Sequence, residues 1–405
     1  MGLVPRIAAL SCTDTAMPNP SPQAAIPAYY MRGGTSKGVF FLPEDLPTDP
    51  ARRDATLLRI VGSPDPYEKH IDGMGGATSS TSKVVIVGKS TRADCDVDYW
   101  FGQVAIAAPL VDWTGNCGNL TAAVGPFAIH RGLIDAPRDG LATVRIWQAN
   151  IGKRIIARVP MRDGAVQEMG DFVLDGVPFP AAEIALAFLD PGADDAEGGG
   201  AMLPTGNATD RLTIPGIGDI DVTLINAGNP TVFVHAAALG LTGIELPRAI
   251  DIQPDLLARC EAIRAHGAVA MGLAESVEYA STKRQSTPKI AFVAPPAAYA
   301  ATSGAAVAAA DIDLVARIFS MGKLHHAMTG TGAVAIAAAA VVPGTIVAQA
   351  LGGAREGLRF GHPAGILQVG ARAEQREGVW QVTQALMSRS ARRLMVGQVF
   401  VPDIE

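Results

Sequence analysis

The stretch Gly115-Asn116-Cys117-Gly118-Asn119, running on into Leu120-Thr121-Ala122-Ala123-Val124-Gly125-Pro126-Phe127-Ala128-Ile129, decides how this chain is read. Past the Gly-rich turn no charged residue appears, so a helix over 118–129 has no polar face to offer water. A helix apolar on all sides belongs inside a core. A second stretch has the same form: Met328-Thr329-Gly330-Thr331-Gly332 leads into an Ala-rich helix over 332–342. Turn chemistry and helix composition recur together, which favours a duplicated domain over the chance similarity of two buried helices.

Around these helices the strand signals dominate and are short. Lys83-Val84-Val85-Ile86-Val87, Thr143 to Trp147, Ile155 to Val159 and Thr231 to Val234 are β-branched runs closed by Gly, Pro, Asp or Asn. Pro254 to Ala265 and Asp311 to Phe319 alternate apolar and charged residues at helical spacing, predicting two further helices. A length of 405 residues exceeds what one hydrophobic core organises, so two domains are expected. The Pro/Gly/Asp-rich stretch from Asp190 to Gly206, with Gly198-Gly199-Gly200, is the natural boundary. Residues 1–25, with Pro18, Pro20 and Pro22 among small polar residues, read as a flexible leader.

Composition narrows the function classes. A net charge of −6 argues against nucleic acid, which selects for a basic face. The longest uncharged apolar run, Ala333 to Val342, falls short of the ~18 residues of a membrane span. Four cysteines without framework spacing (Cys12, Cys95, Cys117, Cys260) fit a reduced, cytoplasmic compartment.

Four segments carry candidate chemistry. Glycines beside a helix start let backbone N–H groups and the helix dipole face an anion, and a thiol placed there, Cys117, has its thiolate stabilised. The Met328–Gly332 turn repeats that anion site without a thiol, its Thr329 doubling as an ordinary N-cap. Arg32-Gly33-Gly34-Thr35-Ser36-Lys37-Gly38 fails the GxxxxGK[ST] pattern, so nucleotide binding is rejected, yet its cations, hydroxyls and N–H groups suit carboxylates. Asp72 to Lys83 packs five hydroxyl residues ahead of a lysine that enters an apolar strand, where burial depresses its pKa toward that of a usable base. His325-His326 lacks metal-site spacing, so no metal is expected. Lys283-Arg284, Arg389, Arg392 and Arg393 read as solvent-facing cations, one of which could hold a substrate carboxylate.

Taken in order, Tyr30 to Gly38, Gly62-Ser63-Pro64-Asp65, Asp72 to Lys83, Trp113 to Asn119, Gly206-Asn207, Met321 to His326 and Met387 to Arg392 resemble the PrpF family. That family consists of cofactor-independent 2-methylaconitate cis–trans isomerases of the diaminopimelate-epimerase-like superfamily. The resemblance implies an α+β fold of two similar domains, each a β-barrel-like sheet around a central apolar helix, with the site between them. The first domain is expected over 26–200 and, by return of the C-terminal segment, 387–405; the second over 207–386.

The resemblance maps the acid/base pair onto Lys83 and Cys117. It places substrate carboxylates among Arg32, Thr35, Ser36, Lys37, Ser82, Asn116, Gly118, Asn119, Thr329, Gly330 and Thr331. Epimerases of the superfamily use two cysteines; Met328 and Thr329 stand at the second position here, which argues for isomerisation through a carbanion. No cofactor is needed, the expected partner is a small tricarboxylate, and a homodimer is left open. The alternatives are a 4-oxalomesaconate tautomerase or other allylic isomerase, and a carboxylate-binding protein without turnover. One energetic difficulty stands: a lysine of reference pKa ~10.4 is protonated at neutral pH, so burial and Arg32 or Lys37 are expected to oppose that.

Overall fold

Two successive runs of chain make the same series of strand pairings. A computed structural model describes residues 23–191 and 201–402. Cys12, the leader to residue 22 and the glycine triplet 198–200 lie outside the described residues. The first run is β1 (Gln23–Gly33), β2 (Ser36–Phe41), α1 (Pro50–Val61), β3 (Lys83–Lys89), β4 (Val97–Val104), α2 (Gly118–His130), β5 (Gly140–Gln148), β6 (Lys153–Arg162) and β7 (Ile184–Leu189). The second is β8 (Gly218–Ala227), β9 (Asn229–His235), α3 (Pro254–Ala270), β10 (Lys289–Ala294), β11 (Leu314–Ser320), α4 (Gly330–Val341), β12 (Gly357–His362), β13 (Gly365–Arg376) and β14 (Val379–Arg389). A last strand, β15 (Ala391–Pro402), follows.

From β1 to β7 successive pairings are antiparallel, parallel, antiparallel, parallel, antiparallel, antiparallel. From β8 to β14 the series is identical. The parallel steps need crossovers. In each run the second crossover carries the apolar helix, α2 in one and α4 in the other.

Two seams join the runs. Strand β14 pairs with β7, Met387 opposite Leu186, while β15 returns to β1, Ala391 opposite Gly33 and Pro402 opposite Gln23. Residues 23–25, assigned to the leader from sequence, are thus already strand. Both α2 and α4 pack into one continuous apolar cluster, and all twelve residues of α4 are buried. Separate clusters lie under α3 and under α1. Among the described residues no helix is long and apolar enough to cross a membrane.

The helices over 118–129, 254–265 and 332–342 are found within a few residues of expectation. The one over 311–319 is not: a 3-10 turn at Ala309–Asp311 gives way to strand β11. All seven residues of β11 are buried, and in a run buried on both faces periodicity does not separate strand from helix. Its charged member, Arg317, suggested an exposed helical face. Instead the guanidinium is fully buried and donates to the carbonyls of Glu245 (2.7 Å) and Gly361 (3.2 Å).

Candidate active site

The two apolar helices start against each other. A Cβ added at Gly118 would come within 2.7 Å of the Gly330 carbonyl carbon, and one at Gly330 would strike the Gly118 backbone. Glycine at both positions therefore allows the two N-termini to abut. Cys117 and Thr329 are the N-caps: the Leu120 N–H donates to Cys117 Sγ (3.4 Å) and the Gly332 N–H to Thr329 Oγ1 (3.1 Å). First-turn N–H groups of both helices lack intrahelical acceptors, and both dipoles point at the same place.

That place is a narrow cleft with about 20 Å³ of free volume. Of the residues expected from sequence, it is lined by Ser36, Lys83, Asn116, Cys117, Gly118, Asn119, Thr329, Gly330 and Thr331. Arg32, Thr35, Lys37 and Ser82 do not line it. Arg32 turns back to donate to the carbonyls of Gly34 (3.0 Å) and Ser390 (2.9 Å), bracing the strand corner. Lys37 lies over the Tyr30 ring at 5.3 Å, on the strand face opposite Ser36. Thr35 Oγ1 accepts from Asn119 Nδ2 (3.0 Å), and Ser82 faces His70. The two cations expected to oppose protonation of Lys83 are thus elsewhere.

Lys83 opens β3, and Gln103 on β4 is its register partner. Its Nζ donates to Gln103 Oε1 (2.6 Å) and sits 4.8 Å from the Phe101 ring centre. Gln103 Nε2 in turn donates to the Ser82 carbonyl (3.0 Å), which fixes the amide's orientation. Burial lowers the Lys83 pKa below the usual lysine range, partly offset by neighbouring Cys117. Asn116 is held by Asn229, through its N–H (2.8 Å) and its carbonyl (2.9 Å), while its own Nδ2 is buried without a partner. A donor left unmet in a cleft is costly until a ligand meets it.

Sequence reasoning missed Gln103, Asn229, Ser286, Lys289, Ser320 and His325, all of which line the cleft. Lys289, the first residue of β10, is buried, and its Nζ donates to Ser320 Oγ (3.2 Å). Burial first, then the charge of Lys83, lowers its pKa to about 7. His325 is held well below its usual value, chiefly by burial, and stacks on His326. Arg389, one of the cations read as solvent-facing, is buried behind the wall: its Nε donates to Asn119 Oδ1 (3.0 Å), and Asn119 Nδ2 donates to the Met328 carbonyl (3.3 Å). Arg392 and Arg393 are exposed, as expected.

Among the described residues no carboxylate lies within 4.0 Å of either lysine nitrogen, and none lines the cleft. Buried cations ordinarily have partners. A cleft with two lysines, two helix N-termini and an unmet amide donor is built for a polyanion.

Comparison with known proteins fits that chemistry. The sequence profile described as PrpF protein matches residues 23–402. The chain belongs to the PrpF family. It is 62% identical over 390 residues to a 2-methyl-aconitate isomerase of Shewanella oneidensis, covering 94% of this chain and 98% of that one. The crystal structure of a methylitaconate-delta-isomerase superposes with a TM-score of 0.72 at 42% identity, covering 94% of this chain and 97% of the other. A hydroxyproline epimerase from Agrobacterium vitis shares the fold alone, at 13% identity and a TM-score of 0.53, over 94% and 93% of the two chains.

Proposed function

We propose that this PrpF-family isomerase interconverts the cis and trans forms of 2-methylaconitate, with Lys83 and Cys117 moving the proton. The observation that carries this is the meeting of Lys83, Cys117 and both helix N-termini in one cleft without carboxylates, in a chain so close to a 2-methyl-aconitate isomerase.

The reaction balances on protons alone. The base takes a proton from the substrate methylene carbon beside the carboxyl-bearing double bond. The C–H electron pair enters the conjugated system and is spread onto carboxylate oxygens. In that dienolate the former double bond has reduced order, so its ends rotate. The same carbon then recovers the proton, restoring the double bond in the other geometry.

Burial lowers the Lys83 pKa and so shifts it toward the free amine, the form that accepts a proton. Cys117 stands beside it as acid or orienting partner. First-turn N–H groups of α2 and α4, with Asn116 Nδ2, are placed to hold carboxylates as charge develops. Preorganised donors of this kind are commonly worth ~10²-fold or more in rate each. A cytoplasmic enzyme of two domains, 26–200 with 387–405 and 207–386, completes the reading; the homodimer is left open, and sedimentation decides it.

The test is a side-by-side assay of 2-methylaconitate, 3-methylitaconate and 4-oxalomesaconate. The highest kcat/KM is expected for 2-methylaconitate. A preference for 4-oxalomesaconate would make the chain a tautomerase using the same groups.

A further inference from the structure

The repeated topology sets a second lysine in the place of the first. Lys83 opens β3, the strand reached by the first parallel step of its run; Lys289 opens β10, the strand reached by the first parallel step of the other. Lys83 faces Gln103 across an antiparallel pair. Continuing the register in which Ala291 faces Ile318 sets Lys289 opposite Ser320, and the hydrogen bond between them agrees with it. Lys83 stands near the N-cap thiol of α2, and the corresponding N-cap of α4 is Thr329.

We propose that Lys289 is a second catalytic residue: as an ammonium it binds the substrate carboxylate that gains charge when Lys83 removes the proton. This rests on the isomerase reading above. The proton lost from carbon goes to the Lys83 amine, the electron pair runs to a carboxylate oxygen, and Lys289 donates a hydrogen bond to that oxygen without giving up its own proton. Reprotonation by Lys83 reverses each change.

In the empty cleft the charge of Lys83 helps lower the Lys289 pKa to about 7, so the division of labour depends on the bound carboxylate. Two ammonium groups in one cleft repel, so the site favours one free amine and one ammonium. The groups facing Lys289 are Lys83 on β3, Asp112, Cys117 at the α2 start, Arg264 on α3 and His325 ahead of α4. Asp112 is occupied by the N–H of Thr114 (2.8 Å) and of Ser286 (3.0 Å), so it is not a counterion in contact. A bound carboxylate supplies that counterion and holds the proton on Lys289.

The experiment compares wild type, Lys289→Met and Lys289→Arg on whichever tricarboxylate the wild type turns over, reading kcat, KM and solvent-deuterium incorporation into the methylene. Lys289→Met is expected to lower kcat and deuterium incorporation together by ~10²-fold or more, with Lys289→Arg recovering part of the loss. A rise in KM with kcat unchanged, or an unchanged enzyme, overturns the proposal. If the wild type turns over no tricarboxylate, the isomerase reading fails and this inference falls with it. Should the variants not fold, the wild-type pH profile decides. A kcat/KM that falls as pH rises through the region near 7, with the fall displaced upward in kcat, supports the role. A profile flat to pH 9 overturns it.

Discussion

The two arms of the cleft are alike in backbone and unlike in chemistry. Each brings a lysine at the start of a buried strand, a partner on the antiparallel neighbour, and the N-cap of an apolar helix. In the first arm these are Lys83, Gln103 and Cys117; in the second, Lys289, Ser320 and Thr329. A thiol can serve as a proton donor or acceptor in catalysis, whereas a threonine hydroxyl serves here as a cap. The fold supplies two equivalent seats, and the proposed division gives proton transfer to the first and charge stabilisation to the second.

Breaking the first arm has the largest expected effect. Lys83→Ala should reduce turnover by ~10³-fold or more, since it removes the group proposed to accept the proton. Steady-state assay with a matched circular-dichroism spectrum checks this. Cys117→Ala should cost ~10²-fold in kcat, together with ~1 kcal/mol of stability from the lost cap. Chemical denaturation separates the two effects.

Gly330→Ala acts on the contact between the arms. Its new Cβ meets the Gly118 backbone, which has no flexible end to move aside, so ~1–3 kcal/mol of stability should be lost with most of the activity.

Lys289 also leaves a signature in stability. An unfolded lysine keeps its proton to about pH 10.4, whereas Lys289 in the folded chain releases it near 7. Between those values the unfolded chain holds more protons, so wild-type stability rises with pH, and the penalty of a buried ammonium is full below 7. Lys289→Met should therefore melt higher than wild type at pH 6, by an amount that fades toward pH 10. The smallest effect expected is that of Thr329→Cys. It gives the second arm a thiol and keeps the cap, so stability should stay within ~1 kcal/mol, and the thiol should not rescue Lys83→Ala.

The first arm is the more legible of the two in the amino-acid sequence. The Gly115–Asn119 turn stands out because glycine and asparagine punctuation ahead of an uncharged helix has few other uses. Lys83 is visible as a lysine entering an apolar strand. Lys289 carries the same signature, Lys-Ile-Ala-Phe-Val behind Ser286-Thr287-Pro288. It escapes notice because the recurring turn and helix mark only one part of each repeat, and the strands between them share no motif.

The errors have physical causes. Ser36 and Lys37 are neighbours in sequence, but alternation along β2 sends only the serine into the cleft. Arg32 satisfies carbonyls at a strand corner that forms only when residue 390 returns beside residue 34. Arg389 reads as exposed because its tertiary partner, Asn119, lies 270 residues away in the chain. The misses at Arg32 and Arg389 depend on long-range pairing, which local pattern does not carry.

The most direct test of the unequal arms is solvent-deuterium incorporation into the 2-methylaconitate methylene by Lys83→Ala at saturating substrate, with binding measured in parallel. No incorporation above background while the tricarboxylate still binds is the predicted result. Incorporation at the wild-type rate would show that Lys83 is not the base and would contradict the account.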